Sequence, residues 1–329
     1  MSNTGASNVT ISDPLFQNAY YIGNNFNGIL YGVELVLYVT SMKTLLESRK
    51  RHKKASDLFF MWFSTTLLVL TTIYMAVESV FGEEMWIVNA EFPGGDGAYL
   101  ATYASVWYQT MGTAASFALN LLSDGLLIYR CYVVWNDRRV IVFPGILYIG
   151  TLGLGIAQLY ASGVPSGDFF AGVAADLGLA YYATTVGLNV IVTSLICGQI
   201  LFWARRTRVV LGEDAARTYT GVAAILIESA LPYTLCGIAL LVSYGLNSEI
   251  SILFLSLYVM STCIAPQLII LRVTTGRGWT KEKVSQSLST LSFSSRSRPR
   301  PFVPNSSVTA INLQNISKSS PSTIIIANV

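Results

Sequence analysis

The chain has 329 residues, of which 52% are hydrophobic and 12% are charged, and its mean hydropathy is +0.51. A soluble domain carries about twice that charged fraction, so these values exclude a soluble globular protein. The apolar residues form blocks of roughly twenty, the length that a helix needs to cross the hydrocarbon core of a membrane. Because barrel strands alternate polar and apolar residues in shorter segments, the blocks predict an all-α, polytopic membrane protein.

Seven of these blocks are long enough to be transmembrane helices. The predicted spans cover approximately 27–46, 57–81, 99–135, 140–162, 177–203, 219–244 and 250–273. The third span exceeds one bilayer thickness, so we expect it to tilt or to project beyond the membrane. The organisation that follows is a short extracellular tail at 1–25, a seven-helix domain at 26–273, and a disordered, basic, Ser/Thr-rich cytoplasmic tail at 274–329.

Two sequence features predict how these helices bend and pack. Pro232 and Pro266 lie within the sixth and seventh spans, where each removes a backbone hydrogen bond and predicts a kink. In the fourth span, Gly153, Ala157 and Ala161 recur every four residues. Small residues at this spacing predict a flat face on which a neighbouring helix packs closely.

The basic residues predict the orientation of the chain in the membrane. All 21 Lys and Arg residues fall in four segments on one side of the predicted bundle, 43–54, 130–139, 205–217 and 272–318. Positive residues mark the cytoplasmic side, so the N-terminus is predicted outside and the C-terminus inside. The segments on the other side hold acids and no base, which should disfavour anions and admit neutral or cationic molecules.

Location and partners follow from this orientation. The plasma membrane is predicted, with an endomembrane as the alternative. The basic run at 49–54 lies between two spans, so it is expected to contact anionic lipid and not nucleic acid. Asn8 begins an Asn-Val-Thr acceptor on the predicted outer side, which predicts a glycoprotein. Oligomeric state does not follow from the sequence.

Four carboxylates lie within predicted spans, at Glu34, Glu78, Asp124 and Glu228. Such residues are rare in membranes and suggest functional sites by default. Asn120 lies one turn from Asp124 on the same helix face. An intramembrane polar network of Asn120, Asp124, Glu228 and Glu34 is therefore predicted, and both a purely structural role and a functional role remain open. Glu78 is expected to reach the outer headgroups.

The basic side offers a candidate surface for an inner partner. Its arginines close the third and fifth spans and occupy the turns that follow: Arg130, Arg138, Arg139, Arg205, Arg206 and Arg208. No metal-ligand cluster, phosphate-binding loop or nucleophile motif stands out, and His52 is the one histidine of the chain. The sequence therefore predicts a protein that is not an enzyme and has no cofactor or metal.

The layout is similar to that of G-protein-coupled receptors, although the motifs of their rhodopsin-like branch are absent. Tyr129-Arg130-Cys131 stands where that branch has Asp-Arg-Tyr, and the seventh span has Ala265-Pro266-Gln267 in place of Asn-Pro-x-x-Tyr. Residues 122–135 (LSDGLLIYRCYVVW) and 265–273 (APQLIILRV) resemble a large seven-span family abundant in mushroom-forming (basidiomycete) fungi. That resemblance covers most of 25–280 and implies a multi-pass membrane protein without indicating an activity.

Three functions are compatible with these features. The first is a receptor-like protein that senses a small neutral or cationic ligand and signals to a cytoplasmic protein. The seven-span layout, the two prolines, the basic inner segments and the phosphorylatable tail favour it. The second is a transporter or proton-coupled carrier that uses the intramembrane acids, although the sequence contains no internal repeat. The third is a membrane scaffold whose tail recruits partners.

Overall fold

The computed structural model describes residues 14–52, 55–163, 172–211 and 213–294. These residues are almost entirely α-helical and include no β-strand. Seven of the helices are long and apolar enough to cross a membrane. The predicted fold class, an all-α polytopic protein with seven transmembrane helices, is thereby confirmed.

Within these described residues, eight α-helices follow one another. They are α1 (Pro14–His52), α2 (Ala55–Glu83), α3 (Gly95–Tyr103), α4 (Trp107–Trp135), α5 (Val142–Gly163), α6 (Gly172–Leu211), α7 (Glu213–Gly245) and α8 (Ser251–Ser294). A π-helical turn, Glu84–Val88, continues α2. The short helix α3 is the one that cannot span a membrane; the other seven correspond to the predicted spans.

Three differences between the observed helix bounds and the sequence prediction change the predicted organisation of the chain. α1 covers Pro14–His52, so the described part of the predicted tail 1–25 is helical. The predicted third span is two helices, because Val106 is extended and separates α3 from α4. α8 continues to Ser294, beyond the predicted start of the disordered tail at 274, and residues 295–329 lie outside the described part.

The chain divides into two compact units, 1–274 and 275–329. In the first unit α1 packs on α2, α4 contacts α2, α5 and α6, and α6 also contacts α5 and α7. Tyr258, Met260 and Cys263 of α8 are fully buried among side chains of α2, α4, α6 and α7. In the second unit, the described residues form the remainder of α8.

The packing face of α5 lies two residues away from the predicted one. A Cβ atom added to Gly155 would lie 1.9 Å from Cε2 of Phe117 on α4, whereas one added to Gly153 would meet nothing within 4 Å. The buried residues of α5 are Pro144, Thr151, Gly155, Gln158 and Ser162. The prediction of a face at Gly153, Ala157 and Ala161 is therefore wrong.

The helices continue through Pro232 in α7 and Pro266 in α8.

Candidate functional site

The two ends of the bundle differ in charge. The acidic end carries the connections 89–106 and 246–250, and the basic end carries the connection 136–141. Near the acidic end lies a cavity of about 60 Å³, which is lined by residues of α1 to α6 and of α8. Its polar lining includes Tyr20, Tyr74, Glu78, Gln109, Tyr182 and Ser256.

Glu78 is the one carboxylate among the residues that line this cavity. The hydroxyl of Tyr20 donates a hydrogen bond to Glu78 Oε2 at 3.2 Å. Glu78 follows the buried residues Thr71 and Tyr74 at intervals of seven and four, so it projects from nearly the same face of α2. Its position differs from the expectation that it reaches the headgroups, because this face of α2 is turned into the bundle.

Two acids near the acidic end, Glu84 and Asp96, are hydrogen-bonded to other side chains of the protein. Glu84 accepts hydrogen bonds from the hydroxyls of Tyr108 and, at 3.4 Å, Tyr99. Asp96 is buried and accepts a hydrogen bond from Gln17 at 2.6 Å. Burial raises the pKa of Tyr99 above its usual value, and the adjacent Glu84 carboxylate adds to this rise. These contacts hold α3 against the ends of α1, α2 and α4.

A second polar feature runs through the bundle between α1, α2 and α8. Its buried polar residues recur at intervals of seven, which returns a helix to nearly the same face. On α1 they are Asn27, Glu34 and Ser41, and on α2 they are Asp57, Ser64 and Thr71. On α8 they are Ser256, Cys263 and, one turn later, Gln267. We call these nine residues the polar seam.

Side chains of α2 and α8 are bonded directly across the polar seam. The hydroxyl of Thr71 donates to Cys263 Sγ at 2.9 Å. The hydroxyl of Ser64 donates to Oε1 of Gln267. At the basic end, the hydroxyl of Ser48 donates to Asp57 Oδ2 at 2.8 Å. Small hydroxyl and amide groups thus hold the three helices together where hydrocarbon side chains offer no directional contact.

Glu34 lies near the middle of the polar seam and is completely buried. Its carboxylate faces Gln267 and Cys263 of α8. Neither carboxylate oxygen has a hydrogen-bond partner of normal geometry, and the same holds for both side-chain polar atoms of Asn27 and for Ser41 Oγ. A buried carboxylate without a partner is costly, on the order of several kcal/mol if ionised. The environment of Glu34 therefore does not by itself compensate the cost of burying its charge.

The predicted network residues of α4 lie in a separate polar group. Asn120 accepts a hydrogen bond from Thr262 of α8 at 3.2 Å and donates to the carbonyl of Ser116 at 3.2 Å. Asp124 is buried, and its Oδ1 has no hydrogen-bond partner. Tyr181, Tyr233 and Tyr258 lie within electrostatic range of its carboxyl group.

Glu228 belongs to neither group, which corrects the predicted network. Its side chain is exposed and forms an ion pair with Arg272, with 3.9 Å between Oε2 and Nη2. The apolar part of α7 begins at Ile227 and that of α8 ends at Arg272, so both charges stand at the end of a span. Glu228 can therefore pair with a base at the basic end and does not enter the interior.

Four of the six arginines that were predicted to form an inner partner surface are exposed at the basic end. Arg138, Arg139, Arg205 and Arg206 are exposed, and the guanidinium of Arg206 lies 5.9 Å from the ring centroid of Trp203. Arg130 is buried, which corrects its assignment to this surface. It lies one turn after Leu126 and Leu127 on the inward face of α4. The side chain of Arg208 and the acceptor Asn8 lie outside the described part of the chain.

The cavity and the polar seam were not predicted from the sequence. The seven-residue spacing of polar residues in α1 and α2 was the available signal, and it becomes informative once α8 is known to face both helices. The described residues include no group of three or more His, Cys, Asp or Glu side chains able to hold a metal ion.

Comparison with known proteins finds no matching family model, and no match among curated proteins or solved structures. The resemblance to the fungal seven-span family stays a prediction. Seven apolar helices of this length fit a multi-pass membrane protein of receptor or transporter type.

Proposed function

We propose that the protein is a receptor that binds a small neutral or cationic ligand in the cavity around Glu78 and signals to a protein at its basic end. The cavity itself is the observation that carries this proposal, because it combines one carboxylate with three tyrosines and several uncharged polar groups. Ligand sites in proteins are concave and place a few polar groups among apolar and aromatic ones.

The chemistry of the cavity favours a ligand that carries positive charge or N–H groups. Glu78 supplies negative charge, and the aromatic faces of tyrosines attract cations. Oε1 of Gln109 is buried without a hydrogen-bond partner, so it is a ready acceptor for a ligand donor. The connections at the acidic end carry no Lys or Arg that would attract an anion instead.

α8 offers a physical link between the cavity and the basic end. Ser256 and Val259 of α8 line the cavity. One to two turns further along, Thr262 contacts Asn120 of α4, and Cys263 contacts Thr71 of α2. A ligand that favours one position of α8 over another would shift these contacts and the helix ends beyond them. The exposed arginines there suit a partner with an acidic surface.

Ligand binding is tested on the purified full-length protein by thermal unfolding with tetramethylammonium or ethanolammonium as probes. We expect a rise in the unfolding midpoint that is lost in Glu78→Gln and kept in Glu83→Gln, since Glu83 is exposed beside the cavity residues. If the probe raises the unfolding midpoint of Glu78→Gln as much as that of the unchanged protein, the probe binds outside this cavity.

The signalling step is tested by co-purification of a partner protein, which should be lost in the double variant Arg205→Gln/Arg206→Gln.

A proton-coupled carrier is the second candidate, and the polar seam is the observation that favours it. Its acids, Glu34 and Asp57, stand at successive depths on two adjoining helices, and Glu78 follows near the acidic end. In sealed liposomes with an internal pH dye, the receptor proposal predicts no proton flux above that of protein-free vesicles. Solute-dependent flux that Glu34→Gln abolishes would favour the carrier instead.

The receptor proposal places the acidic end outside the cell. The orientation is tested with single-acceptor variants that retain one of Asn8, Asn305 and Asn315. We expect an endoglycosidase-sensitive shift for Asn8 alone, because the positive residues hold the other two on the cytoplasmic side. Glycan on Asn305 or Asn315 would show that the orientation is the opposite of the predicted one.

A further inference from the structure

Glu34 is a completely buried carboxylate. The side chains described near it are all uncharged. We propose that Glu34 is the anionic ligand of an alkali-metal cation bound in the polar seam between α1, α2 and α8, with oxygens of Ser64, Thr71 and Gln267 as its neutral ligands. This site is separate from the cavity around Glu78, and the inference does not depend on the proposed function.

Charge balance selects a monovalent cation. Glu34 is fully buried, neither of its oxygens has a hydrogen bond of normal geometry, and the groups that approach them from α8 are the uncharged amide of Gln267 and thiol of Cys263. The polar residues of α2 at the same depth, Ser64 and Thr71, are also uncharged. One carboxylate neutralises one positive charge, whereas a divalent cation would leave a net charge in a medium where burying it is costly.

The surrounding oxygens are of the kind that hard cations prefer. Ser64 and Thr71 use their hydroxyl protons in bonds to Gln267 and to Leu67 or Cys263, which leaves oxygen lone pairs unused. Oε1 of Gln267 accepts one hydrogen bond and has a second lone pair. Carboxylate, amide and hydroxyl oxygens bind alkali and alkaline-earth cations, whereas transition metals favour the imidazole and thiolate groups that do not cluster here.

Asn27 is a further polar group on the side of this site toward the acidic end. It lies one heptad before Glu34 on α1, is buried, and neither of its side-chain polar atoms has a hydrogen bond of normal geometry. Its side chain faces Tyr74, which also lines the cavity. Asn27 therefore places a polar group on α1 between the cavity and Glu34, one heptad from the proposed site. Ser41 continues the same stripe toward the basic end.

The test measures thermal unfolding of the purified full-length Glu78→Gln variant, whose cavity no longer carries the charge that would attract choline, as sodium chloride or potassium chloride replaces choline chloride at constant ionic strength. A cation that binds the folded protein alone raises the unfolding midpoint in a saturable way. We expect such a rise for at least one of the two ions, and the ion that gives it identifies the cation. We expect the rise to disappear in Glu34→Gln, which keeps the shape of the side chain and removes its charge.

Asp124→Asn is the matched control, because it makes the same chemical change at another buried carboxylate outside the polar seam. The Asp124→Asn variant should keep the full cation-dependent rise of the unfolding midpoint. Ser64→Ala gives an independent reading if Glu34→Gln does not fold: losing one neutral ligand should raise the half-maximal cation concentration about fivefold. A response retained in Glu34→Gln, an unchanged half-maximal concentration in Ser64→Ala, or no response to either alkali ion would overturn the proposal.

Discussion

The spans of α5 and α8 are alike in sequence and opposite in position. Val142–Gly163 and Ser251–Arg272 each contain 22 residues and have similar mean hydropathy. In the most apolar stretch of α8, 61% of the residues are buried within the protein, whereas the corresponding share in α5 is 22%. Hydropathy therefore identifies a membrane span but does not show whether the span is central or peripheral.

The polar and small residues of the two helices explain the difference. The buried residues of α5 form one narrow stripe, so most of its surface is left for lipid. On α8, Cys263 and Gln267 meet α2, Thr262 meets α4, and Tyr258 meets α7. Polar groups that point in several directions need protein partners on several sides, because lipid tails offer none. A helix of this kind is stable only inside a bundle.

The largest expected difference in stability between matched substitutions in α8 and α5 is at a tyrosine. Tyr258 of α8 is completely buried, and its hydroxyl bonds that of Tyr233 at 2.8 Å. Tyr258→Ala should lower the free energy of unfolding by about 3–5 kcal/mol, because it leaves a cavity in the buried core of the bundle. Tyr160→Ala on α5, where the side chain is 75% exposed, should change it by about 0.5 kcal/mol or less. Equal losses in chemical denaturation would contradict the central position of α8.

A smaller effect is expected at the one close contact of α5. Gly155→Val would force the ring of Phe117 to move and should lower the free energy of unfolding by about 1–3 kcal/mol. Gly153→Val makes the same change two residues earlier, where an added Cβ meets no neighbour, and should be nearly neutral. If thermal unfolding ranks the two variants in the opposite order, the assigned packing face of α5 is incorrect.

The polar contacts of α8 should contribute less than its packing. Gln267→Leu removes the acceptor of the Ser64 hydroxyl and should cost about 1 kcal/mol, as hydrogen bonds between membrane helices are modest. A double-mutant cycle with Ser64→Ala isolates this contact. We expect a coupling free energy clearly different from zero. Strict additivity of the two single changes would show that the bond does not hold α2 to α8.

The smallest effect is expected where α8 leaves the apolar interior. The ion pair between Arg272 and Glu228 is more than half exposed on both sides and spans 3.9 Å. Arg272→Gln should therefore change the free energy of unfolding by about 0–1 kcal/mol, and salt should weaken that change further. A loss comparable with that of Tyr258→Ala would mean that the pair is buried in the membrane-embedded protein.

Two glutamates show how far the sequence alone could go. Glu78 and Glu228 both interrupt apolar blocks, and the sequence assigned Glu78 to the headgroups and Glu228 to an interior network. The structure places Glu78 in the cavity and Glu228 beside Arg272 at the basic end. The position of Glu78 depends on which side of α2 faces the neighbouring helices. The position of Glu228 depends on where the membrane span of α7 ends. Both depend on contacts between segments that are distant in the sequence.

The sequence by itself determined the class of the protein and the number of its spans, because both depend on the length and composition of local segments that lipid must accept. It also separated an acidic end from a basic end, because charged residues are excluded from the hydrocarbon core and collect beside it. The tertiary structure alone decided that α8 is central, that Arg130 is buried, and that Glu34 lies between Gln267 and Cys263. These outcomes depend on which helix faces meet, and that choice is made jointly by residues more than 200 positions apart, such as Ser64 and Gln267.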